Sequence, residues 1–209
     1  MTTTISKLKN ATEKTIAIKT ISFMEELEDL RFKTSIYDIF EDLNKINENK
    51  WAHPSIPIIA FLYKQTGIPH FIFKEQNFLA TTETERFTIN RAEIGEMAKE
   101  ESKKYEDLDE YHSYLTLLKA FLCYKFNYDL KIGMHRITNL LLEKNKQYGN
   151  AVLKPIRCFS KEISIEEVIK SRLDEKINRL INASGDSEDA YIDIIGYLIF
   201  LCIAIKDNR

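Results

Sequence analysis

The chain has 209 residues, of which 44% are hydrophobic, and it contains only six glycines and four prolines. Its two closest glycines, Gly185 and Gly196, are eleven positions apart. This spacing excludes a G-x-G-x-x-G dinucleotide turn, a G-x-x-x-x-G-K phosphate loop and a G-x-S-x-G nucleophile elbow. The formal net charge of −2 does not favour nucleic acid as a ligand. Because helix-breaking residues are few, we predict a mainly all-α fold, a helical bundle.

The cysteines and the most apolar segment indicate the compartment. Cys123, Cys158 and Cys202 lie far apart without a C-x-x-C pair, which favours reduced thiols over a zinc finger or disulfide framework. The first residues lack the apolar region of a signal peptide. The uncharged segment 194–205 has twelve residues, whereas a membrane span needs about twenty. We therefore expect a soluble cytoplasmic protein with no membrane partner, in which 194–205 is a helix buried on all sides.

The first 50 residues predict amphipathic helices, and residues 51–70 form an apolar segment flanked by prolines. Apolar residues recur at helical spacing within residues 1–50, which predicts a pair of amphipathic helices. An apolar run at 56–63 is then bracketed by prolines. His53 and His70 stand beside these prolines and are candidate ligands, although a lone histidine is more often a loop or packing residue.

Residues 71–106 predict a small β-hairpin and then a helix. The short β-like runs 71–73 and 87–89 suggest the two strands of the hairpin. Residues 91–106 are rich in acidic and basic side chains, as in a solvated or connecting helix. We place a boundary near residue 105, between an N-terminal region of unknown role, 1–105, and a helical domain, 106–209. Because no Ser/Gly/Pro-rich linker separates them, we expect the two parts to pack together.

The second half predicts four helices with recognisable ends. Gly149 suits a helix C-cap, where a residue able to adopt a positive φ is favoured. Ser164 and Glu167 have the spacing of a capping box, in which each side chain reaches an unpaired backbone N–H. The predicted helices cover 110–128, 134–148, 164–182 and about 186–205, with a break at 129–133.

Two aspartates carry the strongest chemical signal. Asp189 and Asp193 are four residues apart and therefore lie on one face of the last helix. Asp193 enters the most apolar stretch of the chain, and a buried carboxylate needs a cation as its partner. The partner is either a lysine or arginine of the preceding helix, Lys176 or Arg179, in a structural salt bridge, or it is Mg²⁺. Mg²⁺ accepts hard oxygen ligands and keeps phosphate oxygens in its shell.

Polar residues around the end of the 134–148 helix could contact a ligand. Lys144, Asn145, Tyr148 and Asn150 offer groups for a base, a sugar or a phosphate, and Arg157 can bind phosphate with two parallel hydrogen bonds. Each of these residues can also be a solvated or packing side chain.

Four strings occur in order and carry a resemblance. They are Lys144-Asn-Lys-Gln-Tyr-Gly-Asn150, Pro155-Ile-Arg-Cys-Phe-Ser160, Arg172-Leu-Asp-Glu-Lys-Ile-Asn-Arg179 and Glu188-Asp-Ala-Tyr-Ile-Asp-Ile-Ile-Gly-Tyr197. This region, about 134–206, resembles the nucleotide modification associated domain of phage and bacterial proteins, which is similar to the MazG-like all-α nucleoside triphosphate pyrophosphatases.

The resemblance implies an activity, a metal and an assembly. MazG-like enzymes hydrolyse NTP or dNTP to the monophosphate and pyrophosphate with Mg²⁺, or Mn²⁺ in its place, held by helix carboxylates. By resemblance, Asp189, Asp193 and Glu175 would hold the metal, and Lys176 and Arg179 would stand with Glu175 in the catalytic centre. Such enzymes form homo-oligomers, dimers or tetramers, with sites near the interfaces.

The chain departs from the family pattern at three points. Gln147 and Glu175 stand where the pattern has Asp, and the E-x-x-E helix of the catalytic members has no counterpart beyond Glu143. The alternative is therefore a catalytically silent nucleotide-binding or phage–host interaction protein. In that case the helical domain is a scaffold, and residues 1–105 contact a partner.

Overall fold

The computed structural model describes residues 18–26, 55–71, 78–81, 86–89, 91–126, 130–148, 152–153, 162–182 and 188–208. Within these ranges the chain forms seven α-helices and one two-stranded hairpin, which confirms the mainly all-α prediction. The helices are α1 (18–26), α2 (Ser55–Thr66), α3 (Arg91–Ser102), α4 (Glu110–Lys125), α5 (Leu130–Tyr148), α6 (Ile165–Asn182) and α7 (Glu188–Asp207). A 3₁₀ turn, Lys103–Tyr105, follows α3. Most of the predicted N-terminal helix pair, and His53, lie outside the described residues.

The hairpin uses one predicted strand and one that the sequence did not indicate. Strands β1 (Phe78–Thr81) and β2 (Arg86–Ile89) are antiparallel, with Phe78 opposite Ile89. The predicted run 87–89 lies in β2, but its partner is β1 rather than 71–73. Four residues separate the two strands in sequence, a connection typical of hairpins.

Helix α2 forms from the apolar run between the prolines. Pro57 lies in the first turn, where a helix needs no backbone N–H donor, so the proline does not interrupt it. Gly67 ends the helix with φ 72°, and its N–H donates to the carbonyl of Tyr63 at 2.7 Å. Side chains from Ile56 to Leu62 are buried around the whole helix, which explains why no helical period is visible there.

Helix α3 is more buried than its charge pattern suggested. It packs against α2 and buries Ile94, Ala98 and the charged residue Glu101. The charge pattern favoured a solvated or connecting helix and gave no indication of this buried face. The charged side chains fill the remaining surface, but one stripe of α3 belongs to the core.

Helices α4 to α7 form the second half of the bundle around α7. Helix α7 packs against α4, α5 and α6, and within 194–205 only Tyr197 is not fully buried, which confirms the expected all-round burial. The capping box of α6 is also confirmed: Ser164 N–H donates to Glu167 Oε2 at 2.8 Å, and Glu167 N–H donates to Ser164 Oγ at 3.1 Å. Helix α5 begins at Leu130, so the predicted break at 129–133 is wrong from residue 130 onward.

One hydrophobic core joins both sides of residue 105. Buried residues from α1, α2 and α3 belong to the same cluster as those of α4 to α7. Cys202 lies in this core without a disulfide, and burial raises the pKa of its thiol to about 12. No helix in the described part of the chain is both long enough and apolar enough to cross a membrane.

Candidate functional site

The aspartate that enters the apolar helix is held between two lysines from two other helices. Lys144 Nζ of α5 lies 2.7 Å from Asp193 Oδ1, and Lys176 Nζ of α6 lies 3.1 Å from Asp193 Oδ2. Each carboxylate oxygen therefore has its own ammonium partner. We call Lys144, Asp193 and Lys176 the Lys–Asp–Lys cluster. It joins α5, α6 and α7 at one point.

The cluster is partly buried, and its three side chains differ in exposure. Lys176 is 15% exposed and Asp193 22%, whereas Lys144 is 45% exposed. Burial raises the pKa of Asp193, but the hydrogen bonds from Lys144 and Lys176 and their positive charges outweigh it. The pKa of Asp193 therefore lies below its ordinary value, and the carboxylate is charged at neutral pH. The cluster therefore places one carboxylate and two ammonium groups at one partly exposed point.

The helix faces explain why these three residues meet. On α6, Lys176 lies between Leu173 and Leu180 on the stripe that is otherwise buried. On α5, Lys144 follows Leu141 by three residues and so faces the same neighbour. On each helix a lysine thus continues or interrupts a buried apolar stripe, which brings one ammonium group from α5 and one from α6 to α7.

Gly196 fixes the distance between α5 and α7. A Cβ at Gly196 would lie 3.0 Å from Leu141 Cδ2, which is tighter than ordinary van der Waals contact. A glycine at this position could in principle leave open space beside Asp193. The structure shows that this space is occupied by Leu141. The glycine allows a close helix approach, one turn along α7 from Asp193.

Glu175 and Arg179 lie in a separate group on the exposed face of α6. Glu175 Oε2 is 3.0 Å from an Arg172 guanidinium nitrogen, and Glu175 Oε1 is 3.8 Å from one of Arg179. All three side chains are about half exposed. Of the two salt-bridge partners considered for Asp193, Lys176 is the one observed, whereas Arg179 pairs with Glu175.

The other predicted site residues are described only in part. Asp189 lies in the first turn of α7, and Asn145 and Tyr148 lie in the last turns of α5, but the structure does not describe their side chains. Asn150 and Arg157 lie outside the described residues. Among the described side chains, no group of three or more His, Cys, Asp or Glu is placed to hold a metal ion.

Sequence reasoning missed the role of Lys144. It was considered a ligand-binding or solvated residue, whereas it forms the shortest contact of the Lys–Asp–Lys cluster. The signal was present in the spacing, because Ile137, Leu141 and Lys144 follow one another at helical intervals and the first two are buried.

Comparison with known proteins adds no relative. No protein-family profile, curated protein or solved structure matches the chain.

Proposed function

We propose that helices α5, α6 and α7 bind nucleoside triphosphates and, with Mg²⁺ or Mn²⁺, hydrolyse them to the monophosphate and pyrophosphate. The observation that supports this most directly is the Lys–Asp–Lys cluster. Three separate helices contribute an ionised carboxylate and two ammonium groups to one partly exposed point. Those three helices are also the ones that carry the resemblance to the MazG-like pyrophosphatases.

The residue types suit a metal–polyphosphate ligand. Carboxylate oxygens are the protein ligands that Mg²⁺ prefers, and Asp193 is ionised and retains a solvent-exposed edge. Asp193, with Asp189 one turn before it and Glu175, would hold the ion, and the bound metal would supply an activated water and charge neutralisation. An ammonium on each Asp193 oxygen already occupies a cation position there. Lys144 and Lys176 could then turn to phosphate oxygens.

The residues around the cluster would contact the rest of the nucleotide. In this proposal Arg179 neutralises polyphosphate charge beside Lys176. Asn145, Tyr148 and Asn150 would contact the base or the sugar, and Arg157 the phosphates. Assembly into a homo-oligomer, a dimer or a tetramer, belongs to the same proposal, as does a cytoplasmic location in a bacterial or phage-infected cell.

A panel of NTPs and dNTPs tests the activity. Each nucleotide is incubated with Mg²⁺ or Mn²⁺, and pyrophosphate is measured separately from phosphate. We expect pyrophosphate release that Asp193→Asn abolishes and that Asp107→Asn, an exposed aspartate distant in sequence from these helices, leaves unchanged. Circular dichroism verifies that both variants remain folded. If the unchanged protein releases no pyrophosphate from any nucleotide, the enzymatic proposal fails.

A second function is favoured by the completeness of the ion pairing. Both oxygens of Asp193 are paired with lysines, and Glu175 is paired with two arginines of its own helix. Such a network can be purely structural in a catalytically silent nucleotide-binding or phage–host interaction protein. In that case residues 1–105 would contact the partner. This alternative predicts no turnover in the panel, and either a nucleotide-dependent rise in melting temperature or none.

A further inference from the structure

A charged side chain is buried in the half of the protein that the proposed function does not use. Glu101, in the last turn of α3, is 5% exposed, and α3 as a whole packs against α2. Burial of a carboxylate in a protein interior disfavours its charged form, because the surroundings solvate it less well than water. Protonation of the Glu101 carboxylate therefore changes the free energy of packing this part of α3 into the interior.

The contacts of Glu101 offset this burial only in part. Lys104 Nζ lies 2.9 Å from Oε2, and this buried oxygen has no other polar partner among the described residues. The Lys104 side chain is itself 42% exposed, so water weakens its attraction. Burial raises the pKa of Glu101, and the nearby Lys104 ammonium opposes this rise without cancelling it.

The neighbouring groups are neutral or engaged elsewhere. The buried Tyr105 hydroxyl donates to the carbonyl of Pro57 in α2 at 3.0 Å, and Lys64 of α2 donates to the carbonyl of Tyr105. Burial raises the pKa of the Tyr105 hydroxyl, and the negative charge of Glu101 raises it further. The 3₁₀ turn after α3 is thus attached to α2 by two hydrogen bonds close to the carboxylate.

We infer that Glu101 is a protonation-dependent latch, whose neutral form holds α3 and the 3₁₀ turn on α2 more tightly than its charged form does. A proton binds the folded side chain at a higher pH than it binds the unfolded one. Between these two pH values folding takes up a proton, so stability falls as the pH rises through this window. Below this window Glu101 is protonated in both states, and its burial does not lower stability. Above the window it is charged in both states, and the whole cost of burying the charge lowers stability.

Native-state hydrogen exchange of the full chain measures the latch directly. The opening equilibrium of the α3 and 3₁₀ amides is compared between wild type and Glu101→Gln from pH 4 to pH 8. The ratio of the two opening constants should change by about tenfold for each pH unit between the folded and unfolded pKa values. Opening of the wild type should become relatively easier as the pH rises.

The chain supplies a matched control one residue earlier. Glu100 and Lys103 have the same i, i+3 spacing and a 2.7 Å contact, but both side chains are about two-thirds exposed. Glu100→Gln should therefore show no such window. If wild type and Glu101→Gln share one pH profile, the latch does not exist.

A carboxyl titration keeps the inference testable if Glu101→Gln fails to fold. Nuclear magnetic resonance of the ¹³C-labelled wild type reports the Glu101 carboxyl directly. Titration above the ordinary glutamate range supports the latch, and titration within or below that range overturns it. Neither measurement uses a nucleotide, so the outcome is independent of the proposed function.

Discussion

The Lys–Asp–Lys cluster predicts that the two lysines contribute unequally to stability. A double-mutant cycle separates their contributions, using Asp193→Asn, Lys144→Met and Lys176→Met alone and in pairs. We expect Asp193 to couple more strongly to Lys176 than to Lys144, although Lys144 is the nearer of the two. The reason is that burial, rather than distance, decides the strength of these ion pairs.

The magnitudes follow from the structure. Distances of 2.7 and 3.1 Å change the Coulomb attraction by about 15%, whereas the effective dielectric constant ranges from about 20 near a protein surface to about 80 in water. Lys176 is 15% exposed and Lys144 45%. Exposed ion pairs have coupling energies of about 0.2–1 kcal/mol, so we expect about 0.5 kcal/mol for the coupling of Asp193 to Lys144. Breaking a fully buried pair costs about 3–5 kcal/mol, so we expect about 2 kcal/mol for partly buried Lys176.

Urea unfolding followed by circular dichroism at pH 7 measures each variant. The pKa of Asp193 is lowered in the folded state, so its contribution is complete above the unfolded pKa and is lost as the pH falls through the folded pKa. The coupling to Lys176 should therefore vanish in strong acid. Equal couplings at pH 7, or a larger one for Lys144, would refute the argument from burial.

Three further predictions concern packing and helix ends. Gly196→Ala should lower the free energy of unfolding by about 1 kcal/mol. Overpacking against Leu141 costs about 1–3 kcal/mol, and the higher helix propensity of alanine offsets about 1 kcal/mol of this. In a Leu141→Ala background the same change should instead stabilise, and an unchanged sign would contradict the close contact. Ser113→Ala should stabilise by about 1 kcal/mol, since Ser113 Oγ is buried without a hydrogen-bond partner among the described residues; a lower urea midpoint would count against this. Ser164→Ala should cost about 1 kcal/mol in thermal unfolding, whereas Ser164→Asp, which also caps, should cost much less.

Local signals predicted the second half of the fold well. The capping box at Ser164 was visible because its two hydrogen bonds depend on residues three apart, and the buried 194–205 segment was visible because it carries no charge. Both features depend on neighbours in sequence. The first half was harder to predict, since a helix buried on every side, such as α2, has no polar face to set its period.

Within the Lys–Asp–Lys cluster, the Asp193–Lys176 pair was one of the predicted alternatives and the Asp193–Lys144 pair was not predicted. A carboxylate inside an apolar helix predicts a cation, and Lys176 was named as one candidate. Which face of α5 meets α7 depends on tertiary packing, and so Lys144 was not named as a partner. The burial of Glu101 was not predicted for a similar reason, because a glutamate within a charged run gives no local sign of burial, which depends on tertiary packing.

The close contact at Gly196 has a consequence for how the helices are aligned. Asp193 meets Lys144 on α5, and three residues later Gly196 meets Leu141, three residues earlier on α5. One polar and one apolar contact therefore both depend on how α5 and α7 are placed against each other. If α5 slid along α7 by a single turn, the ammonium would leave the carboxylate and Leu141 would leave the glycine notch together. A shift of α5 along α7 would therefore also change the surroundings of the Asp193 carboxylate, and titration of Asp193 can report such a shift.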